Sequence, residues 1–236
     1  MNYAGYADTT VLYAGASERA AFIRRTYAHL AVAVLAFIAV EWMLLQSPIA
    51  GWMARTMTGG YAWLIVLAVF MGVSWLAERW ANSETSPQIQ YLGLGIFVVA
   101  EAVIFLPLLY IASNFASADV IPMAALITGF LFTGLTATVF ITRKDFSWMR
   151  SILTIGGFVA LGVIVASIIF GFSLGIIFSA IMVLFASVAI LYDTSQVLHH
   201  YRTDQHVAAS LSLFASVALL FWYVLRIVMS LSSDDD

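Results

Sequence analysis

Cysteine is absent from the 236 residues, and charge is scarce, at 10% of the chain. The first absence excludes disulfides and thiolate metal sites, and with them any reading of redox compartment. The second excludes an ordinary soluble domain, in which about 25% of residues are charged. Ten basic residues against thirteen acidic ones leave a net charge of −3 with no basic cluster, which argues against nucleic acid as a partner. What fills the space is apolar: 63% of residues are hydrophobic, gathered in long uninterrupted blocks. Such blocks imply an all-α, polytopic integral membrane protein whose first partner is the lipid bilayer, with no length left for a separate soluble domain. The opening stretch "MNYAGYADTTVLYAGASERAAFIRR" has no basic region running straight into a short apolar core, so it does not read as a cleaved signal peptide.

Seven apolar blocks can be drawn: Tyr27–Leu45, Gly60–Leu76, Tyr91–Ala112, Val120–Thr142, Ser151–Phe170, Leu174–Tyr192 and Val207–Ser230. Most approach the ~20 residues that cross ~30 Å of hydrocarbon, and all are too long for barrel strands. They divide the chain into an N-terminal tail (1–26), a seven-helix domain (27–230) and an acidic C-terminal tail (231–236). The seventh block opens on small polar residues, which leaves a re-entrant course open beside a full span. Arg19, Arg24, Arg25, Arg79, Arg143, Lys144, Arg150 and Arg202 fall on the N-terminal side of the membrane, against Arg55 and Arg226 on the other. The positive-inside rule then makes the N-terminus cytoplasmic. Gly171-x-x-x-Gly175 with Ser179, Gly157 with Gly162, and Gly129 with Gly134 mark either close helix contacts or the ordinary glycine content of membrane helices. Trp42, Trp52, Trp63, Trp75, Trp80 and Trp148 fall near block ends, as interfacial anchors do.

Ionisable groups inside the blocks are the functional candidates, because each is costly among lipid tails unless paired or hydrated. Glu101 lies about ten residues into its block, ~15 Å deep and so near the midplane. It implies either a water-filled cavity or a neutral acid bonded to a neighbouring helix. Glu41 and Arg226 share a depth near the outer face, which suggests a structural pair closing the first helix on the last. Asp193 ends the uncharged run Leu174–Tyr192, and Gln196 and His200 follow at i+3 and i+7 on the same helical face. A carboxylate beside a histidine suits an ion- or proton-sensing site; the alternative is an aspartate that simply meets headgroup water.

Two catalytic patterns fail on topology. "GFSLG" at 171–175 has the spacing of a nucleophile elbow, but it joins two membrane helices and puts Ser173 on the outer side. His29, His199, His200 and His206 all fall on the cytoplasmic side, a bilayer away from the ~3 Å a general base needs. The histidines near Asp204 match no zinc spacing. No enzyme activity, cofactor or metal site is therefore expected.

"TRKDFSWM" at 142–149 and "AILYDTSQVLHHYRTDQHVAASLSLF" at 189–214 resemble the Bax inhibitor-1 family, in particular its bacterial YccA-like branch. The third block with Pro107 and the seven spans with a cytoplasmic N-terminus are similar too. The resemblance implies six helices surrounding a central seventh, in a bacterial inner (cytoplasmic) membrane. It also implies a pH-sensitive calcium leak, resistance to stress, and for the YccA-like branch a restraining action on the membrane protease FtsH and its scaffold. Calcium ions, protons and FtsH are thus the expected partners. Family members carry two aspartates on the last two helices near the cytoplasmic side. Asp193 matches the first, whereas the second position is Ser216 and the asparagine expected three residues later is Leu219. One carboxylate facing a hydroxyl keeps a hydrogen bond but loses the coupled titration of a pair.

Overall fold

The computed structural model describes residues 10–83 and 86–233. Eight helices occur in that range: α1 (Ala16–Gln46), α2 (Ala50–Thr58), α3 (Ala62–Ala81), α4 (Pro87–Phe115), α5 (Val120–Thr142), α6 (Met149–Phe170), α7 (Gly175–His199) and α8 (His206–Ser233). All but α2 are long and apolar enough to cross a membrane, so the protein is a seven-span all-α membrane protein. The alternation of seven spans brings the eight cations of the N-terminal side to one end, which the charge bias makes cytoplasmic.

Helix α8 is central. It packs on α7, α5, α1, α4 and α3, and its buried side chains, from Val207 through Phe214 to Val228, face every direction. Helix α4 is enclosed to a similar extent. At 28 residues and ~1.5 Å per residue, α8 is one continuous rod of ~42 Å, which rules out a re-entrant course. It runs to Ser233, so the expected acidic tail begins later than 231; Asp234–Asp236 lie outside the described residues.

The other end also departs from expectation. Helix α1 starts at Ala16, not Tyr27, and residues 10–15 are built into the fold. Val11 is fully buried, and its N–H donates to the Tyr201 carbonyl at 2.9 Å. Arg19 donates to the Val11 carbonyl (2.9 Å) and the Leu12 carbonyl (2.7 Å), which closes this hook over the start of α1. Residues 1–9 of the expected tail lie outside the described residues. Helix α2 is an addition: its buried Ala50, Ala54 and Met57 recur at i, i+4 and i+7 and turn one stripe inward.

Close helix contacts do not use the glycine pairs suggested by spacing. A side chain at Gly129, Gly134, Gly162, Gly171 or Gly175 would meet nothing within 4 Å. Gly171 and Gly175 serve the α6–α7 turn instead, at φ +72 and +62. The tight approach is Gly93 of α4, where a Cβ would sit 2.6 Å from the Ala77 carbonyl oxygen and 2.7 Å from the Ala81 nitrogen of α3. Gly93→Ala is expected to destabilise the bundle by about 1–3 kcal/mol, the usual cost of overpacking. Gly95→Ala, two residues on with open space around it, is the control; thermal unfolding in detergent compares the two.

Candidate functional site

Asp193 faces the central helix. It lies six residues before the end of α7, and its Oδ2 accepts from the Ser216 hydroxyl of α8 at 2.5 Å. A charge-assisted O–H···O⁻ bond has this length. One turn earlier on α8, the Ser212 hydroxyl meets Tyr201 Oη at 3.0 Å. Thr194 and Ser195, beside Asp193, are fully buried. The aspartate is therefore held within the α7–α8 contact rather than left among headgroups.

Glu101 sits at the middle of α4, 14 residues from either end, and is 7% exposed. It borders a cavity of about 570 Å³ between α3, α4, α6 and α8. On α3 the lining runs from Trp63 to Glu78, or ~22 Å along the helix axis, most of the hydrocarbon thickness. Glu78 stands at the cytoplasmic mouth, Arg226 and Ser173 at the outer end, and Ser74 and Ser167 between. Glu101 has no hydrogen-bond or ion-pair partner among the described residues. Asp193 and Ser216 do not line the cavity. The candidates on α4, α7 and α8 thus fall into a hydrogen-bonded contact and a separate cavity, not one shared chamber.

The structural pair expected of Glu41 and Arg226 is not formed. Glu41 is 4% exposed, and neither of its carboxylate oxygens has a hydrogen-bond partner. Arg226 turns to the cavity instead. Shared depth is insufficient, because the two side chains leave their helices in different directions around α8.

Gln196 and His200 do not extend the Asp193 site. The side-chain amide of Gln196 has no hydrogen bond among the described residues, while its carbonyl accepts from the His200 and Tyr201 N–H groups at 2.9 and 3.1 Å. His200 caps α7 and turns its Nε2 to Asp145 Oδ2, 3.0 Å away in the α5–α6 loop. That loop, part of "TRKDFS", folds back on α7. Asp145 Oδ1 accepts from the Ser147 N–H at 2.8 Å, and the Phe146 N–H donates to the Ser195 hydroxyl at 2.9 Å. Arg143 takes the left-handed conformation, at φ 52, as the chain leaves α5. Burial pushes the Asp145 carboxyl up, but the Ser147 hydrogen bonds and His200 outweigh it and hold the group below the usual carboxylate range.

Sequence spacing missed Asp145 and Glu78. Trp63 lies at the start of α3, near a span end as expected, and it also faces inward. Trp63 stacks on Trp222 of α8 with ring centroids 6.1 Å apart and borders the cavity. A helical-wheel reading of Trp63, Phe70, Ser74 and Glu78 would have put them on one face of α3.

Comparison with known proteins agrees with this architecture. The chain matches the family described as "Inhibitor of apoptosis-promoting Bax1" over residues 19–234. It belongs to the Bax inhibitor-1 family. Similar members of the family include the "Modulator of FtsH protease YccA" of Escherichia coli, 30% identical over 172 residues, covering 72% of this chain and 76% of the relative. Another is "Protein LIFEGUARD 4" of Arabidopsis thaliana, 30% identical over 214 residues, covering 87% and 83%. An uncharacterised protein of Pseudomonas aeruginosa is 32% identical over 177 residues, covering 72% and 76%. The "TRKDFS" loop and the α7–α8 segment, on which the family resemblance rested, are the parts that clasp each other in space.

A carboxyl whose folded value is lowered contributes stability above its ordinary range and loses it as pH falls through the folded value. The loop clasp should therefore hold at neutral pH and weaken in acid. Asp145→Asn is expected to speed tryptic cleavage at Arg143 and Lys144 in inverted vesicles roughly threefold, the scale of an exposed pair of about 0.6 kcal/mol. Unchanged cleavage would assign the loop's position to the Phe146–Ser195 bond alone.

Proposed function

We propose that the protein is a non-enzymatic, multi-pass protein of a bacterial inner membrane that passes cations, calcium foremost, slowly and under proton control. The cavity between α3, α4, α6 and α8 is the pathway, and the Asp193–Ser216 bond is its cytoplasmic latch. One observation carries this reading: Glu101, buried at the middle of the bundle, borders an open cavity and has no partner within the described protein. A carboxylate at that depth costs several kcal/mol unless water or a cation reaches it. Glu78 supplies a second negative group at the mouth. Arg226 sets a positive barrier at the outer end, of the kind that slows cations in pores. A slow leak of this sort, by lowering ion gradients under load, accounts for the stress resistance associated with the family.

Calcium flux into proteoliposomes tests the proposal. Glu101→Gln is expected to lower the flux tenfold or more, equivalent to about 1.4 kcal/mol. Asp193→Asn is expected to flatten its pH dependence. Wild-type protein that carries no calcium at any pH would overturn the pathway.

A second reading is favoured by the relative named as a modulator of FtsH. Here the protein conducts nothing and restrains a membrane protease: its cytoplasmic N-terminus is gripped, and the packed bundle resists extraction. The segment to grip is the N-terminal stretch of about 25 residues, of which residues 10–14 hook onto the α7–α8 loop. Co-purification with the protease, and loss of restraint when this stretch is trimmed, are expected. A shortened protein that still inhibits would remove the grip.

A further inference from the structure

The walls of the cavity are aromatic where its charge is. Phe97 and Phe105 flank Glu101 one turn to either side on α4, so all three share a helical face. Trp222 stands against Phe105 edge to face, with centroids 4.9 Å apart. Trp63 stacks on Trp222 at 6.1 Å and an interplanar angle of 23°. Phe70 of α3 reaches Phe97 at 6.2 Å. Glu101, 7% exposed and without a protein partner, thus shares its cavity with five linked rings.

Such a lining is poorly matched to a small inorganic cation as a resting occupant. Calcium takes six to eight oxygen ligands at about 2.3–2.6 Å, and beside Glu101 the side chains of the lining offer only the carboxyl of Glu78, at the mouth, and the scattered hydroxyls of Ser74, Ser167 and Ser173. Aromatic faces instead favour cations that part readily with water, alkylammonium and quaternary ammonium groups above all, by the attraction of the positive charge for the ring quadrupole. The volume, about 570 Å³, falls within the ~300–1,000 Å³ of small-molecule sites, which pair apolar walls with a few polar groups. Glu78 at the mouth attracts a cation from the cytoplasmic side, and Arg226 repels one from the outer end.

We infer that the cavity is a binding site for hydrophobic organic cations, with Glu101 as the counter-ion and Trp222, Trp63, Phe105 and Phe97 as the cage. The inference shares with the proposed pathway the premise that the cavity admits positive charge, and differs on which cation rests there. A bound organic cation would then block the pathway rather than travel it.

Benzyltrimethylammonium, titrated calorimetrically into the full chain in detergent, tests the site. Its neutral isostere neopentylbenzene serves as competitor. Binding is expected, with at least tenfold loss in Glu101→Gln and in Trp222→Leu and no displacement by neopentylbenzene. Trp63→Leu is a second cage variant should Trp222→Leu not fold, and the thermal unfolding of each variant is followed beside it. Absence of binding, affinity unchanged in Glu101→Gln, or displacement by the neutral isostere at equal concentration would each overturn the inference. Binding without calcium flux at any pH would overturn the pathway and leave the site standing. Calcium flux without binding would do the reverse.

Discussion

Hydrocarbon cannot solvate a carboxylate, and three acids inside this bundle meet that constraint in three ways. Asp193 has a direct partner, the hydroxyl of Ser216 at 2.5 Å. Glu101 has none, but it borders a cavity that can hold water or a ligand. Glu41 has neither: it is buried between packed helices with both oxygens unpartnered. The position of α8 follows from the first two. It carries Ser216 on the side that meets α7, and Trp222 and Arg226 on the side that meets the cavity. Moving α8 would strand Asp193 and collapse the space beside Glu101 together.

The cytoplasmic end is tied more densely than the outer one. Val11 bonds to the α7–α8 loop, the α5–α6 loop bonds to α7 through Asp145, Phe146 and Ser195, and a hydrogen-bonded chain joins α1, α4 and α8. In that chain His29 Nδ1 faces the Arg25 carbonyl at 2.6 Å, so it carries a proton. In the neutral ring Nε2 then accepts from Tyr91 Oη at 3.1 Å, and Tyr91 Oη in turn lies 3.5 Å from His206 Nε2. At the outer end, the Ser117 hydroxyl of the α4–α5 loop meets that of Ser232 of α8 at 3.3 Å. Helix α6 packs chiefly on α7. The latch is therefore set under a braced rim, while one wall of the cavity is loosely held.

Span number, orientation and the depth of Glu101 could be read from the sequence because each depends on run length and rise per residue, both local properties. The partner of Asp193 was also within reach, since the family resemblance aligned Ser216 with the second aspartate. Azimuth around the helices was not legible. Glu41 and Arg226 share a depth but point apart, and His200 shares a wheel position with Asp193 yet turns to Asp145 once α7 ends. Trp63 has the position of an interfacial anchor and the orientation of a cavity wall. Glycine spacing misled for the same reason: Gly93, which has no glycine partner, lies tight against the backbone of another helix, because Ala77 and Ala81 of α3 complete the contact.

The replacement of a second carboxylate by Ser216 changes what protonation can do. Two acids in contact must share a proton, so their bond appears and disappears with titration. A hydroxyl has no such requirement: it donates to an ionised Asp193 and either donates to or accepts from a protonated one. The α7–α8 bond can thus persist in both states, stronger in the charged one. Protonation of Asp193 would then change the charge at this contact without having to break it. Glu78 stands at the same, cytoplasmic end of the bundle, where it lines the mouth of the cavity. An ionised Asp193 adds negative charge at that end, and a protonated one removes it. With a single aspartate the change is one of charge, and the helices need not part.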